Sequence, residues 1–135
     1  MAKQYRSREG TITAVDTKTQ LSTLGSETAP GPLLVPAGAK TLKAVIMTFG
    51  CDLSVAADGA YIVRLEGSGL PEGPEVLTAG ASGVPVATGG VSTQMPVRVE
   101  LNIPVTPTNE ILIFAENVGE DTGSTGVGVT LEFTT

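Results

Sequence analysis

The sequence Val127-Gly-Val-Thr-Leu-Glu-Phe133 near the C-terminus decides the fold class. Apolar residues alternate strictly with glycine or polar residues along it, which is the period of a half-buried β-strand. Residues 97–103 repeat this alternation. Residues 110–115, apart from Glu110, are apolar at both odd and even positions, which predicts a strand at the centre of a sheet that is covered on both faces.

More strands are predicted upstream of these segments. Residues 41–49 and 60–66 read as two core strands, and Leu53 and Val55 indicate a short strand between them. The Asp58-Gly59 pair is the strongest tight-turn signal in the chain. No stretch of ten or more residues has helical periodicity with caps, so we expect minimal helix. Shorter strands are predicted over residues 11–15, 20–24, 32–35 and 75–79.

Seven to nine short strands without helical crossovers predict an all-β fold, an antiparallel β-sandwich. A jelly roll is the first choice, since residues 67–74 and 80–90 are longer than hairpins need and suit connections between sheets. An immunoglobulin-like sandwich is the alternative, although the chain has neither Trp nor paired Cys. The predicted core consists of Val45, Met47, Val63, Leu65, Val99, Leu101, Ile111, Ile113, Val129 and Leu131.

Charge and length divide the chain into a short arm and one domain. Residues 1–18 hold four basic and two acidic residues, whereas the remainder holds four basic and twelve acidic ones. We therefore expect residues 1–10 to form a flexible basic arm and residues 11–135 to form a single sandwich. The acidic body should repel nucleic acid, so direct binding of nucleic acid is not expected. No apolar run approaches the roughly 20 residues of a membrane span.

The residue types present argue against catalysis. The chain has no His and a single Cys51, which excludes Ser-His-Asp, Cys-His and zinc-ligand arrangements. No glycine-rich stretch matches a phosphate-binding loop, and no cofactor is predicted. Cys51 lies in an apolar run and is expected to be a buried thiol in a reducing compartment. The protein is therefore predicted not to be an enzyme.

Two groups of residues are candidate partner contacts. The first lies in the N-terminal arm, and the second in the rigid loop around residues 69–75, where Leu70 is expected to be exposed. The acidic residues Glu116, Glu120 and Asp121 are interpreted as a hydrated turn before the last strand, with calcium bridging between subunits as the alternative. The predicted partner contacts are Lys3, Tyr5, Arg6, Arg8, Leu70, Pro71 and Pro74.

The whole-chain organisation resembles the small jelly-roll capsid and decoration proteins of double-stranded DNA viruses of bacteria and archaea. The resemblance rests on the basic arm, on Leu-Leu-Val-Pro-Ala-Gly at residues 33–38 and on the closing strand at residues 127–133. It implies a protein without catalytic residues that oligomerises, often as a trimer, and tiles or reinforces an icosahedral shell. The arm departs from the pattern, since proteins that package nucleic acid through a tail usually carry many more Lys and Arg.

Two functions of different classes follow. The first is a structural virion protein that assembles in the host cytoplasm and packs against other coat proteins, with a trimer favoured. Low charge and the absence of catalytic residues support it. The alternative is a non-catalytic ligand-binding sandwich, adhesin-like or carbohydrate-binding, within a larger assembly. Such modules usually show clustered exposed aromatics, whereas the aromatic residues of this chain are dispersed.

Overall fold

The computed structural model describes residues 2–12, 16–22, 31–51, 58–82, 92–93, 96–118 and 125–135. Within these ranges the chain forms β-strands and no helix. The strands are β1 (Lys3–Ile12), β2 (Thr19–Gln20), β3 (Leu33–Leu34), β4 (Thr41–Cys51), β5 (Asp58–Glu66), β6 (Glu75–Ser82), β7 (Ser92–Thr93), β8 (Val97–Pro104), β9 (Glu110–Asn117) and β10 (Thr125–Thr134).

The strands form two antiparallel sheets. The first has the order β1-β10-β4-β8, and the short β7 also pairs with β4. The second has the order β2-β9-β5-β6, and the short β3 also pairs with β9. The chain alternates between the sheets except within the β5–β6 hairpin and the split strands β2/β3 and β7/β8.

This strand order is that of a jelly roll, a double sheet of two Greek keys. In the immunoglobulin order, by contrast, the first two strands of the chain lie side by side in one sheet. Here β1 and β2 lie in different sheets. The all-β, antiparallel sandwich predicted from the sequence is therefore confirmed. The prediction that residues 110–115 form a central strand is also confirmed, because β9 has neighbours on both sides.

The core lies between the sheets and follows the alternation of the sequence. Eight of the ten predicted core residues are buried, and the other two, Val99 and Leu101, are half-buried because β8 is an edge strand. The sheets meet at Phe49 and Tyr61, whose rings stack with centroids 4.7 Å apart. Such a pair contributes about 0.5 to 1.5 kcal/mol beyond burial of its area.

Two turn predictions were wrong. Asp58 and Gly59 lie inside β5, paired with Ser82 and Ala81. Residues 67–74 join β5 to β6 within one sheet and so do not cross between sheets. The length of this loop has another cause, because the loop folds over the end of the sandwich and its Gly69 amide donates to the carbonyl oxygen of Glu110 at 2.8 Å. The connection from β6 to β7 does change sheets.

The N-terminal residues differ from the expected arm. Lys3–Ile12 forms β1 and pairs with β10 along its whole length, from Lys3 opposite Thr134 to Ile12 opposite Thr125. The sandwich therefore begins at residue 3. The flexible arm is expected if apolar burial alone has to offset the entropy of ordering. The ladder hydrogen bonds between β1 and β10 and the polar contacts of the β1 side chains also offset it. The predicted strand at Leu53 and Val55 and the side chain of Cys51 lie outside the described part of the chain.

Candidate assembly surfaces

A buried carboxylate organises the outer face of the first sheet. Glu132 points away from the core, yet its side chain is only 1% exposed. Its oxygens accept a hydrogen bond from the Tyr5 hydroxyl at 3.0 Å, and an ion pair with Lys3 measures 3.3 Å. Arg98 reaches Glu132 from the opposite side and makes a second ion pair with it through a short hydrogen bond. We call these four residues the Glu132 cluster.

The Glu132 cluster spans the four long strands of the first sheet, β1, β10, β4 and β8. Tyr5 on β1 stands opposite Glu132 on β10, which in turn stands opposite Ala44 on β4. The small Ala44 side chain leaves room for Arg98 of β8 to reach across β4. The guanidinium also donates to Glu100 at 2.7 Å. Both edge strands are thereby fixed to the middle of the sheet through one carboxylate.

Hydrogen bonding sets the charge of the cluster. The hydrogen bond from Arg98 holds the pKa of Glu132 below its ordinary value, and those from Tyr5 and Lys3 act in the same direction against the effect of burial. Glu132 is therefore ionised at neutral pH. Sequence reasoning missed this residue, since a glutamate at an outward strand position reads as a solvated group, and no local pattern indicates that three donors converge on it.

The two arginines of β1 bind the edge of their own strand. Arg6 donates to the carbonyl oxygen of Tyr5 at 2.9 Å, and Arg8 donates to that of Ser7 at 2.7 Å. Arg8 also donates to the carbonyl oxygens of Gly31 and Pro32. Partial burial, followed by repulsion from Arg6, lowers the pKa of Arg8. The structure thus places all four predicted N-terminal contact residues on β1, with Lys3 and Tyr5 on the outer face and Arg6 and Arg8 at the edge.

The loop predicted as a contact point divides into a buried and an exposed part. Leu70 is 3% exposed and belongs to the core, so the expectation that it is exposed was wrong. Its amide bonds the carbonyl oxygen of Gly67, which turns the side chain under the loop. Pro71 and Pro74 are exposed. These two prolines remain available for a partner, while Leu70 secures the loop to the sandwich.

The outer face of the second sheet carries apolar side chains. Leu112 and Phe114 of β9 and Ile62 of β5 are half-buried there. Val76 of β6 and Leu34 of β3 are more than half exposed. We call these five residues the apolar outer face. The charged Arg64 lies among them, opposite Phe114 on one side and Val76 on the other. The sequence predicts that the β9 segment is covered on both faces. The first sheet covers its inner face, and its outer face carries the apolar side chains named above.

One lysine partly covers this face. The Lys18 ammonium lies 4.1 Å from the centre of the Phe114 ring and 3.0 Å from a Glu66 carboxylate oxygen. Cation–π contacts at exposed sites contribute about 0.5 to 1 kcal/mol. Among the described residues, no strand packs on the apolar outer face from outside. The described residues thus leave part of this face uncovered, with a basic group positioned over its largest ring.

The described residues offer few other sites. A depression of about 330 Å³ lies on the outer face of the first sheet and is lined by Glu9–Thr11, Gly126–Gly128 and Thr48. No group of three or more His, Cys, Asp or Glu residues in the described ranges is placed to hold a metal. Glu116 is on β9, and Glu120 and Asp121 lie outside the described residues. The described part of the chain holds no helix long and apolar enough to cross a membrane.

Comparison with known proteins found a structural likeness to a viral capsid protein. No protein-family model matches the chain, and no curated protein matches its sequence. The crystal structure of the decameric BFDV capsid protein is similar over 99% of this chain and 99% of that one, at 13% sequence identity and a TM-score of 0.37. The jelly-roll assignment rests on the strand order of the chain itself.

Proposed function

We propose that this protein is a structural coat subunit that associates with copies of itself and with other coat proteins in a virion. The observation that carries the proposal is the apolar outer face. Leu112 and Phe114 in the middle of β9 face outward, between the charged Glu110 and Glu116, and no described strand packs over them. Exposed apolar patches rimmed by polar residues mark interaction surfaces. Burial of such a face against neighbouring subunits would complete the packing that the sequence predicts.

The charges of the two sheets also support association between copies. The strands of the first sheet carry five basic and three acidic residues, whereas those of the second carry one basic and five acidic ones. Subunits arranged side by side, with the first sheet of one next to the second sheet of another, bring opposite charges together. Contacts of this head-to-tail kind close into rings when the rotation permits. A trimer is the ring that we favour.

The basic residues of β1 argue against a genome-binding role. Lys3 pairs with Glu132, and Arg6 and Arg8 donate to backbone carbonyl groups of the protein. Few cations are thus left to neutralise phosphates, and affinity for nucleic acid depends on the number of phosphates neutralised. A location in the shell of the virion, after assembly in the host cytoplasm, fits this arrangement.

The alternative is a non-catalytic ligand-binding module, and the depression on the first sheet is the observation that favours it. Its lining consists of three glycines, two threonines, Glu9 and Val127, with no aromatic ring. Small-molecule sites are usually lined by apolar and aromatic side chains. The apolar outer face is the stronger feature, and its character points to a protein partner.

Sedimentation velocity of the purified chain at increasing concentration tests the proposal. We expect a trimer or a larger species that persists as the protein is diluted. Phe114→Thr removes the largest apolar side chain of the outer face and should shift association to higher concentration. Val118→Thr, at the exposed end of the same region of chain, is the matched control and should not. A chain that sediments as a monomer at every concentration contradicts the proposal.

A further inference from the structure

The free edges of the two sheets differ in how they are protected against pairing with another strand. Proteins protect edges with charged side chains, prolines, bulges or very short strands. On β1, the arginine side chains of residues 6 and 8 occupy the outward carbonyl groups of Tyr5 and Ser7. Further along β1, Glu9 exchanges two backbone hydrogen bonds with Ser22, at 2.9 and 2.7 Å.

The other edges are protected as well. Strand β8 has a register shift against β4 between Leu42 and Ala44, contains Asn102 with a φ of 58°, and ends at Pro104, which has no amide hydrogen. Strands β2, β3 and β7 are two residues long each. None of these edges presents a regular row of unpaired backbone groups to a partner.

Strand β6 is the exception. It has eight residues, Glu75–Ser82, that pair with β5 in one continuous register without a bulge. Glu75 at its first position is its only charged residue, and the strand contains no proline. Among the described residues, β5 is the only strand that pairs with it. Val76 on this strand is 51% exposed and belongs to the apolar outer face.

We propose that the edge of β6 that no described strand covers pairs with β6 of a second copy, antiparallel and about a two-fold axis. The partner strand is assigned by elimination, because every other described edge of the same chain is protected. The inference rests on the proposed coat function, because that function identifies the partner as a second copy of this chain. It would join two second sheets into one and extend the apolar outer face across both copies.

The charge pattern of β6 suits this two-fold pairing. Residues that stand directly opposite each other in an antiparallel pair have their side chains on the same face of the sheet. A two-fold axis perpendicular to the sheet therefore passes beside one residue, which stands opposite its own copy. The middle of the strand places that position at Thr78 or Ala79. The two Glu75 residues then lie at opposite ends, roughly 20 Å apart for an axis at Thr78 and roughly 27 Å apart for one at Ala79, at about 3.4 Å per residue, and do not repel each other. A two-fold contact joins subunits in pairs and leaves the trimer contact to other surfaces.

A disulfide trap tests the pairing. Residues directly opposite in an antiparallel pair have Cα atoms about 4.5 to 5.5 Å apart, within disulfide range. Thr78→Cys and Ala79→Cys are each made in a Cys51→Ala chain, which removes the only native thiol. Val118→Cys in the same background is the control, since Val118 is 39% exposed and belongs neither to β6 nor to the apolar outer face.

Under mild oxidation, we expect Thr78→Cys or Ala79→Cys to form a covalent dimer of twice the 13.7 kDa chain at least about tenfold faster than Val118→Cys, because pairing raises the effective thiol concentration. Equal rates in all three variants overturn the inference. Sedimentation of the untreated chain separates the two proposals. If the untreated chain forms large species but neither cysteine variant crosslinks rapidly, the coat function stands and β6 pairing is rejected. If a cysteine variant crosslinks rapidly but the untreated chain is otherwise monomeric, β6 pairing is supported and the coat function is rejected.

Discussion

The Tyr5 hydroxyl donates a hydrogen bond to the Glu132 carboxylate at 3.0 Å, and the two residues stand directly opposite each other on β1 and β10. This contact fastens the first strand of the chain to the last. Because Arg98 reaches the same carboxylate from β8, one ionised group holds three strands of the first sheet together. The stability of the fold should therefore depend on the charge of Glu132.

The first prediction concerns pH. The folded pKa of Glu132 is below its ordinary value, which is about 4.3 in an unfolded chain. Its stabilising contribution is therefore complete above that unfolded value and is lost as pH falls through the folded pKa. Glu132→Gln should unfold at lower urea concentration than the wild type at pH 7, and the difference should shrink as the pH is lowered below about 4. Glu72→Gln, in the exposed loop, is the control and should follow the wild type. A pH-independent difference would contradict the role of the charge.

The second prediction concerns β1. Deletion of residues 2–9 removes most of a strand that pairs with β10. Each ladder hydrogen bond that is lost contributes about 1 kcal/mol to the free energy of unfolding. We expect a loss of several kcal/mol in the free energy of unfolding, measured by urea titration of the dilute chain. Arg6→Ala, which keeps the strand, should cost less than about 1 kcal/mol. A deletion variant with unchanged stability would restore the flexible arm that the composition suggests.

The third prediction separates steric from conformational strain at two glycines. Gly67 has a φ of 121°, and an added Cβ would collide with the Glu110 carbonyl oxygen. Gly73 has a φ of 102° but has nothing within 4 Å of that position. Gly73→Ala should cost about 1 to 2 kcal/mol for the left-handed backbone alone. Gly67→Ala should cost more, and thermal unfolding of the two variants measures the difference. Equal losses would show that the loop does not pack on Glu110 as described.

The fourth prediction contrasts two leucines in the same pattern. Leu131 on β10 is fully buried, whereas Leu101 on the edge strand β8 is half-buried. Leu131→Ala should cost about 2 to 5 kcal/mol, the range of well-packed core sites. Leu101→Ala should cost less than about 2 kcal/mol in the dilute chain, since less area leaves the core. Chemical denaturation of both variants checks the order, and a larger loss at Leu101 would contradict the edge position of β8.

The period-two alternation of apolar residues predicted which side chains of a strand are buried. Val129 and Leu131 alternate with polar residues, and both are buried as expected. Glu132 belongs to the same alternation, yet its burial depends on Tyr5 and Arg98, which are distant in sequence. The Asp58-Gly59 signal failed because tertiary pairing with β6 overrides local turn preference. Sequence pattern thus predicted which face of a strand is apolar, whereas long-range polar contacts and the protection of strand edges required the structure.

Assembly is the central claim, and electron microscopy of the concentrated, purified chain tests it most directly. The expected result is a population of closed particles of uniform size, formed from this chain alone or with its coat partners. The Phe114→Thr variant should give fewer particles under the same conditions, because the apolar outer face loses its largest ring. A field of dispersed single subunits at every concentration and salt, alone and with coat partners added, would contradict the account.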